Sequence, residues 1–504
     1  MKRLARDILL MALATSISRV FGLFREISIA DRFGLGTALD AFLVAVYLPN
    51  SLRLLFAEGA LSTAFVPIYA GASANNDDAN RFANNVLSLL LILFPIIVVA
   101  GVLLAPIYLP FFASGFPPEK LALAVRLTQM IFPFIALIGF AAAFMGILHA
   151  HHRFFTAALA PVLYNVGMIL GALLLTRLFP LQPIYGLAIG ALLGAGGQLL
   201  FQWSLVRRLG FRFHFALFPI HPGIRQMGRL MLPVMLALSV MQINLLVDNK
   251  LASHLDDGAV SALQYAMRLF QLPLGVFAVS VATAFLPRFS TALTRKESER
   301  FDAHLAEGLS QTALLLLPAM AGLFAIGTDV VRLLFQHGQF TVGDTLRTVT
   351  VLRFYVLGLF PYGLVYLFTR AFYAMRRPLV PVLASCAAVG TNVACDLLLV
   401  GSLREGGLAL STSLAGVVNA GILTLFLWSR IGTHRDLPKQ LGKILLGAGL
   451  VFAVAWAIRR PFQQDARLGP VFLPIIAGTL FYLLYTRLTG LWNLIRQRPA
   501  DPQG

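Results

Sequence analysis

Between positions 19 and 58 the chain places Arg19, Arg25, Glu26, Asp31, Asp40, Arg53 and Glu58 inside stretches that are otherwise apolar. Arg19 and Arg53 fall near the middle of their apolar runs, and Arg268 sits similarly in a later one. An arginine at mid-bilayer costs at least about 2.5–3.5 kcal/mol on insertion scales, so an intramembrane arginine points to function by default. Two chemistries compete. As structural glue, Arg19 would pair with Glu26 one heptad on, or Arg53 with Glu58. As a binding site, several guanidinium forks facing one cavity suit a doubly charged, planar-oxygen anion such as a diphosphate. Ion pairing alone leaves an excess of arginine, which favours the anion site.

A second polar set lies further along. Asp248, Asn392, Asp396 and Thr412 all fall within apolar runs, and Asn392 and Asp396, four apart, share one helix face. Two carboxylates, an amide and a hydroxyl form a hard, all-oxygen set that suits a small cation or proton rather than zinc. Asn392 or Thr412 alone would read as an ordinary helix–helix hydrogen bond. Other residues carry less. His149, His151 and His152 flank a basic loop and read as solvated, not metal-binding. Cys386 and Cys395 read as packing residues rather than a disulfide. The 40 Phe against 4 Trp are lipid-facing bulk. Asp256-Asp257 are the notable acids outside the membrane, with nothing else in the sequence converging on them. No P-loop, Rossmann glycine pattern or HExxH motif is present, which argues against an ATP-driven pump.

The elements that must hold these residues follow from composition. Of 504 residues, 58% are hydrophobic and 12% charged, and mean hydropathy is +0.80. A soluble chain carries about 25% charged residues. Half that charge cannot make a water-facing surface, so soluble enzymes, disordered chains and disulfide-stapled secreted domains are excluded. The predicted fold is an all-α polytopic membrane protein. A spanning helix needs about 20 mostly apolar residues. About fourteen such runs are found, with centres from Arg19, Phe56 and Pro95 through Gly358 to Leu450 and Leu480. The N-terminal Met1-Lys2-Arg3 with Ala12-Leu13-Ala14 imitates a cleaved leader. Its apolar core is short and the pattern continues to about Ala30, so a first span is predicted instead.

The formal charge of +18 would suggest nucleic acid in a soluble domain. Here it reads as cytoplasmic loops collecting Lys and Arg, about 22 on one side against about 9 on the other. Both termini are then predicted to be cytoplasmic. An internal repeat is also present. Ser62-Thr63-Ala64-Phe65-Val66-Pro67 matches Ala282-Thr283-Ala284-Phe285-Leu286-Pro287, and His152-Arg153-Phe154 matches Arg376-Arg377-Pro378, at a similar offset of about 220 residues. Six spans is an even number, so both halves keep one orientation. The predicted organisation is two parallel six-helix lobes around a central cavity plus two C-terminal helices. The lobes are residues 1–218 and 219–431, followed by two spans and a cytoplasmic tail over 432–504. This is a transporter's architecture.

The run Ser18-Arg19-Val20-Phe21-Gly22-Leu23-Phe24-Arg25-Glu26 resembles the first span of the bacterial lipid II flippases, the MurJ (MviN) family of the MOP exporter superfamily. So do Asp40-Ala41-Phe42, Leu48-Pro49-Asn50, the stretch from Leu52-Arg53 to Glu58-Gly59-Ala60, Leu333 to Gly338, and Gly407 to Ser413. The resemblance covers essentially the whole chain. It implies a flippase, not an enzyme, that carries the lipid-linked peptidoglycan precursor from the inner to the outer leaflet of the bacterial cytoplasmic membrane by alternating access. It implies substrate-binding roles for Arg19, Arg25, Arg53 and Arg268, with Glu26, Asp40 and Glu58 beside them. It also implies a sodium site at Asp248, Asn392, Asp396 and Thr412 with the Leu408 carbonyl, and no required cofactor. Expected partners are lipid II and membrane lipids, with cell wall synthesis or division machinery also in view, and no nucleic acid. Met267 and Gln271 stand where relatives often place polar or acidic residues, which puts the local pairing of Arg268 in question. The rivals are a multidrug–cation antiporter or another polyprenyl-diphosphate-oligosaccharide flippase of the superfamily, a membrane enzyme acting on lipid-linked sugars, and a scaffold of the division machinery.

Overall fold

The computed structural model describes residues 2–55, 61–72, 76–431, 436–462 and 469–496. Every regular element among them is helical. That is the solution available to a chain this apolar, because a helix pairs its backbone groups internally where no water can.

The chain forms two compact units. Unit 1 holds Met1–Ser261 together with Gly338–Phe340. Its helices are α1 (Lys2–Phe33), α2 (Thr37–Arg53), α3 (Ser62–Ala72), α4 (Asn76–Phe112), α5 (Pro118–Ile131), α6 (Phe134–Ala150), α7 (Phe154–Leu159), α8 (Pro161–Leu173), α9 (Ile184–Arg208) and α10 (Pro222–Ser253). Unit 2 begins inside α11 (Ala259–Pro273). It continues with α12 (Val279–Thr294), α13 (Ser298–Phe335), α14 (Val342–Leu357), α15 (Leu359–Ala374), α16 (Leu379–Leu403), α17 (Glu405–Ile431), α18 (Leu437–Arg459), α19 (Gly469–Leu488) and α20 (Asn493–Arg496).

Among the described residues ten helices are long and apolar enough to cross a bilayer, or eleven with α14 and α15 taken as one span bent by 42°. The charged α1 and the polar-dotted α10 lie outside that count, yet each has 32 residues. At 1.5 Å per residue each reaches about 48 Å, beyond the ~30 Å hydrocarbon core. The full set of fourteen spans stays a proposal. The run centred on Phe56 has its centre outside the described residues.

In unit 1, α8 and α9 approach through glycine. A Cβ on Gly167 would lie 2.3 Å from the Gly194 Cα, and one on Gly190 would lie 2.6 Å from the Gly171 Cα. These residues recur every fourth position on facing helices, the small-residue spacing that lets membrane helices touch backbone to backbone. In unit 2, Phe285, Phe289, Phe301, Phe368 and Phe372 form an aromatic core where α12, α13 and α15 meet. The C-terminal helices are part of unit 2. Arg459 of α18 pairs with Asp329 of α13 and donates to the Ala325 carbonyl at 3.1 Å. Tyr482 of α19 donates to the Leu314 carbonyl at 3.0 Å.

The two repeat matches coincide with matching backbone features. Leu54, Leu55 and Leu61 lie in wide π-type turns where α2 gives way to α3, and Leu274–Ala278 form a π-helical turn between α11 and α12. Phe65 and Phe285, which follow these turns, are both 1% exposed. His152 and Arg376 end their helices at φ 57° and 56°. The next amides, of Arg153 and Arg377, donate back to Leu148 and Phe372 at 2.8 and 2.9 Å. The units divide after Ser261, one helix later than the 218/219 boundary expected from span counting, because α10 packs on α3 and α4. The lobe limits 1–218, 219–431 and 432–504 remain a proposal about function.

Candidate functional site

Within unit 1, Glu26, Asn165 and Tyr164 hold Arg25. Its Nη2 donates to Glu26 Oε1 at 2.5 Å, its Nη1 donates to Asn165 Oδ1 at 3.0 Å, and its guanidinium lies 5.9 Å from the centre of the Tyr164 ring. Asn165, on α8, is itself fixed by donating to the Ser18 carbonyl at 3.2 Å. Glu26 therefore partners its neighbour Arg25, not Arg19 a heptad earlier as the glue reading expected. Arg19 is exposed on the same helix. At the end of α2, Arg53 donates from Nε to Asn50 Oδ1 at 3.0 Å, immediately before the π-type turns. Glu58 lies outside the described residues. Nearby, Tyr47 and Ser51 of α2 donate to the carbonyl and side chain of Gln242 on α10, at 2.5 and 2.7 Å.

Asp40 has another environment. It is 1% exposed. It accepts from Lys120 Nζ at 2.9 Å, the Gly258 amide at 2.7 Å, and the Ser261 amide and hydroxyl at 2.9 and 2.8 Å. Lys120 also reaches Asp257 at 2.6 Å, and Thr37 donates to the other Asp257 oxygen. The expectation that nothing converges on Asp256-Asp257 is thus corrected. Lys120 and Thr37 come to Asp257 from distant parts of the sequence, which no local pattern could reveal. Lys120 follows Pro117-Pro118-Glu119, an unremarkable helix start, and the fold alone singles it out.

Asp248, on α10 of unit 1, accepts from Asn244 at 3.5 Å, a contact between residues four apart on one helix. In unit 2, Arg268 is exposed on α11, shortly before the π-helical turn. Asn392, Asp396 and Thr412 are 1%, 0% and 8% exposed. Asn392 of α16 donates to the Thr412 hydroxyl of α17 at 3.4 Å, and that hydroxyl donates to the Leu408 carbonyl at 3.1 Å. A buried carboxylate, an amide, a hydroxyl and a backbone carbonyl are oxygen-bearing groups of the kind hard cations accept. Among the described residues no group of three or more His, Cys, Asp or Glu could hold a metal.

Two minor expectations change. His151 is not simply solvated. Its Nε2 lies 3.3 Å from the Tyr69 hydroxyl, and partial burial with the neighbouring His152 and Arg153 charges pushes its pKa below the ordinary value. Both cysteines are free thiols, but Cys386 is exposed on α16 and does not pack.

Two long-helix units with ionisable residues inside their apolar helices define a polytopic membrane carrier. Known proteins narrow the class. A family model described as "Lipid II flippase MurJ" matches residues 29–476. A curated relative from Rhizobium meliloti, named probable lipid II flippase MurJ, is 35% identical over 88% of this chain and 85% of its own length. A solved structure described as lipid II flippase MurJ in an inward closed conformation is 30% identical, with a TM-score of 0.81 over 97% of this chain and 100% of the other. An inward-facing multidrug-resistance MATE transporter of the MOP superfamily shares the fold at 19% identity, with a TM-score of 0.67 over 86% of this chain and 99% of the other. This chain belongs to the lipid II flippase MurJ family.

Proposed function

We propose that this protein carries lipid II, the lipid-linked peptidoglycan precursor, across the cytoplasmic membrane from the inner to the outer leaflet for cell wall synthesis. It is a transporter and makes or breaks no covalent bond. Family membership over residues 29–476 supports the cargo. The observation that carries the mechanism is Arg25. A guanidinium oriented by Glu26, Asn165 and Tyr164 on the 32-residue α1 presents a preorganised anion-binding group. Arg19, Arg25, Arg53 and Arg268 would hold the diphosphate, while the polyprenyl tail stays in lipid. Glu26 positions Arg25, and Asp40 acts through the fold rather than on the cargo. Alternating access would turn the charged residues from one membrane face to the other. Each elementary charge crossing 100 mV is worth about 2.3 kcal/mol, which makes the membrane potential one candidate force for resetting an arginine-lined carrier.

The MATE likeness shows the fold alone, and a cationic drug would be repelled by arginines. The test is complementation of cells depleted of their own lipid II flippase. The wild-type chain should sustain growth. Arg25→Ala, Arg53→Ala and Arg268→Ala should each lose it while the protein stays inserted and abundant. Arg25→Lys should recover only part, because a point charge lacks the bidentate fork. Full growth with all three alanine variants would make the arginines merely structural.

A further inference from the structure

The connection from α9 to α10 is not helical. Residues 211–221 run extended along α4 and use three of its polar side chains as a ladder. The His214 amide donates to Asn84 Oδ1 at 3.0 Å, and the Ala216 amide donates to Ser88 Oγ at 2.9 Å. Asn85 binds the strap twice, donating to the Ala216 carbonyl at 2.6 Å and accepting from the His221 amide at 2.7 Å. Asn84, Asn85 and Ser88 are 0%, 5% and 0% exposed, so the ladder is built into the helix packing. Phe211 anchors the near end at 4% exposure.

The strap's other face is open and has a distinct composition. Phe215, Phe218 and Ile220 are 56%, 81% and 59% exposed. Around them Arg207, Arg208, Arg212, Arg225 and Arg229 are all exposed, and residues 207–229 contain no Asp or Glu. Irregular backbone does not enter the hydrocarbon core facing lipid, so the strap lies outside that core, and its protruding Phe215, Phe218 and Ile220 suit headgroup depth. There, aromatic and aliphatic side chains dip toward the acyl boundary while long cationic side chains reach the headgroups. A segment of net charge +5 with protruding apolar side chains is complementary to a negatively charged lipid surface, and the fixed backbone removes the ordering cost of binding it.

We propose that the 211–221 strap, with the arginines that flank it, is a docking surface for anionic glycerophospholipid headgroups, separate from the residues assigned to the cargo. The test uses the purified full-length chain and follows thermal unfolding with added phosphatidylglycerol or phosphatidylcholine. Phosphatidylglycerol should raise the wild-type Tm by several degrees more than phosphatidylcholine. The triple variant Arg207→Gln, Arg208→Gln, Arg212→Gln should lose at least half of that difference while keeping the wild-type Tm in phosphatidylcholine. Should the triple variant fold poorly, Arg225→Gln with Arg229→Gln on exposed positions of α10 is an independent arm with the same expected loss. Phe215→Ser with Phe218→Ser should weaken stabilisation by both lipids. Variants of both arms that keep the full phosphatidylglycerol preference would overturn the proposal. So would arginine variants that lose stabilisation by added lipid II alone, since the strap would then belong to the cargo's path.

Discussion

At the scale of single residues, the charged groups within the long helices differ in how deeply they are buried. Arg25 is oriented by Glu26, Asn165 and Tyr164, whereas Arg19 and Arg268 are exposed on their helices. Asp396 is fully buried in unit 2, beside the Asn392–Thr412 hydrogen bond. A carboxylate removed from water is costly unless a cation or a proton neutralises it. A sodium ion there would bias the helices it touches by its differential affinity for their arrangements. Sodium should therefore raise the thermal stability of the purified wild type more than potassium does, and Asp396→Asn should remove the difference. The same measurement on Asp248→Asn decides whether that residue belongs to the site, as the sequence suggested. No sodium-specific shift at any pH where carboxylates ionise would transfer the role to a proton or to the membrane potential.

At the scale of elements, Asp40 ties the start of α2 to the start of α5 and to the turn that leads from α10 into α11. Lys120 is 4% exposed and lies between Asp40 and Asp257, with the Phe116 ring 4.1 Å from its ammonium. Removing one member of a buried ion pair strands the other, typically at a cost of about 3–5 kcal/mol. Lys120→Met should thus lower the unfolding midpoint strongly, although Lys120 touches no residue assigned to the cargo. Adding Asp40→Asn to that variant should restore part of the loss, since the stranded charge is gone. A double variant whose loss equals the sum of the two single losses would show that the residues do not act as a pair. In this reading a change at Asp40 acts through the helix starts it joins, not through contact with lipid II.

At the scale of the whole molecule, the proposed orientation, with both termini in the cytoplasm, rests on the excess of Lys and Arg in alternate loops. A reporter inserted after Arg153, or in the 295–300 loop, should read as cytoplasmic. The external reporter belongs at Leu181, which is 92% exposed, because an insertion at Asp256-Asp257 would break the clasp on Asp40. Reversed readings at all three sites would overturn the orientation.

Membrane class and helical architecture were legible in the amino-acid sequence, as were the repeat matches and the presence of arginines within the helices, whose role in binding stays a proposal. Each depends on local quantities, namely apolar run length, charge per loop and the cost of an arginine in hydrocarbon, which are properties of residue types and spacing. The repeat was visible as two short matches, and the structure added the π turns and helix ends at the same offset. What the sequence could not express was which polar group meets which. Glu26 paired with Arg25 instead of Arg19, Asp40 took Lys120 and Ser261, and Asn84, Asn85 and Ser88 became a ladder for a strap about 130 residues away. The unit boundary at Ser261 likewise came from where α10 packs, not from counting spans. Hydropathy determines that a segment crosses the membrane but says nothing of its neighbours. Partners 80 to 221 residues apart are selected only when the helices pack, because hydrogen-bond geometry is set by their side-by-side placement.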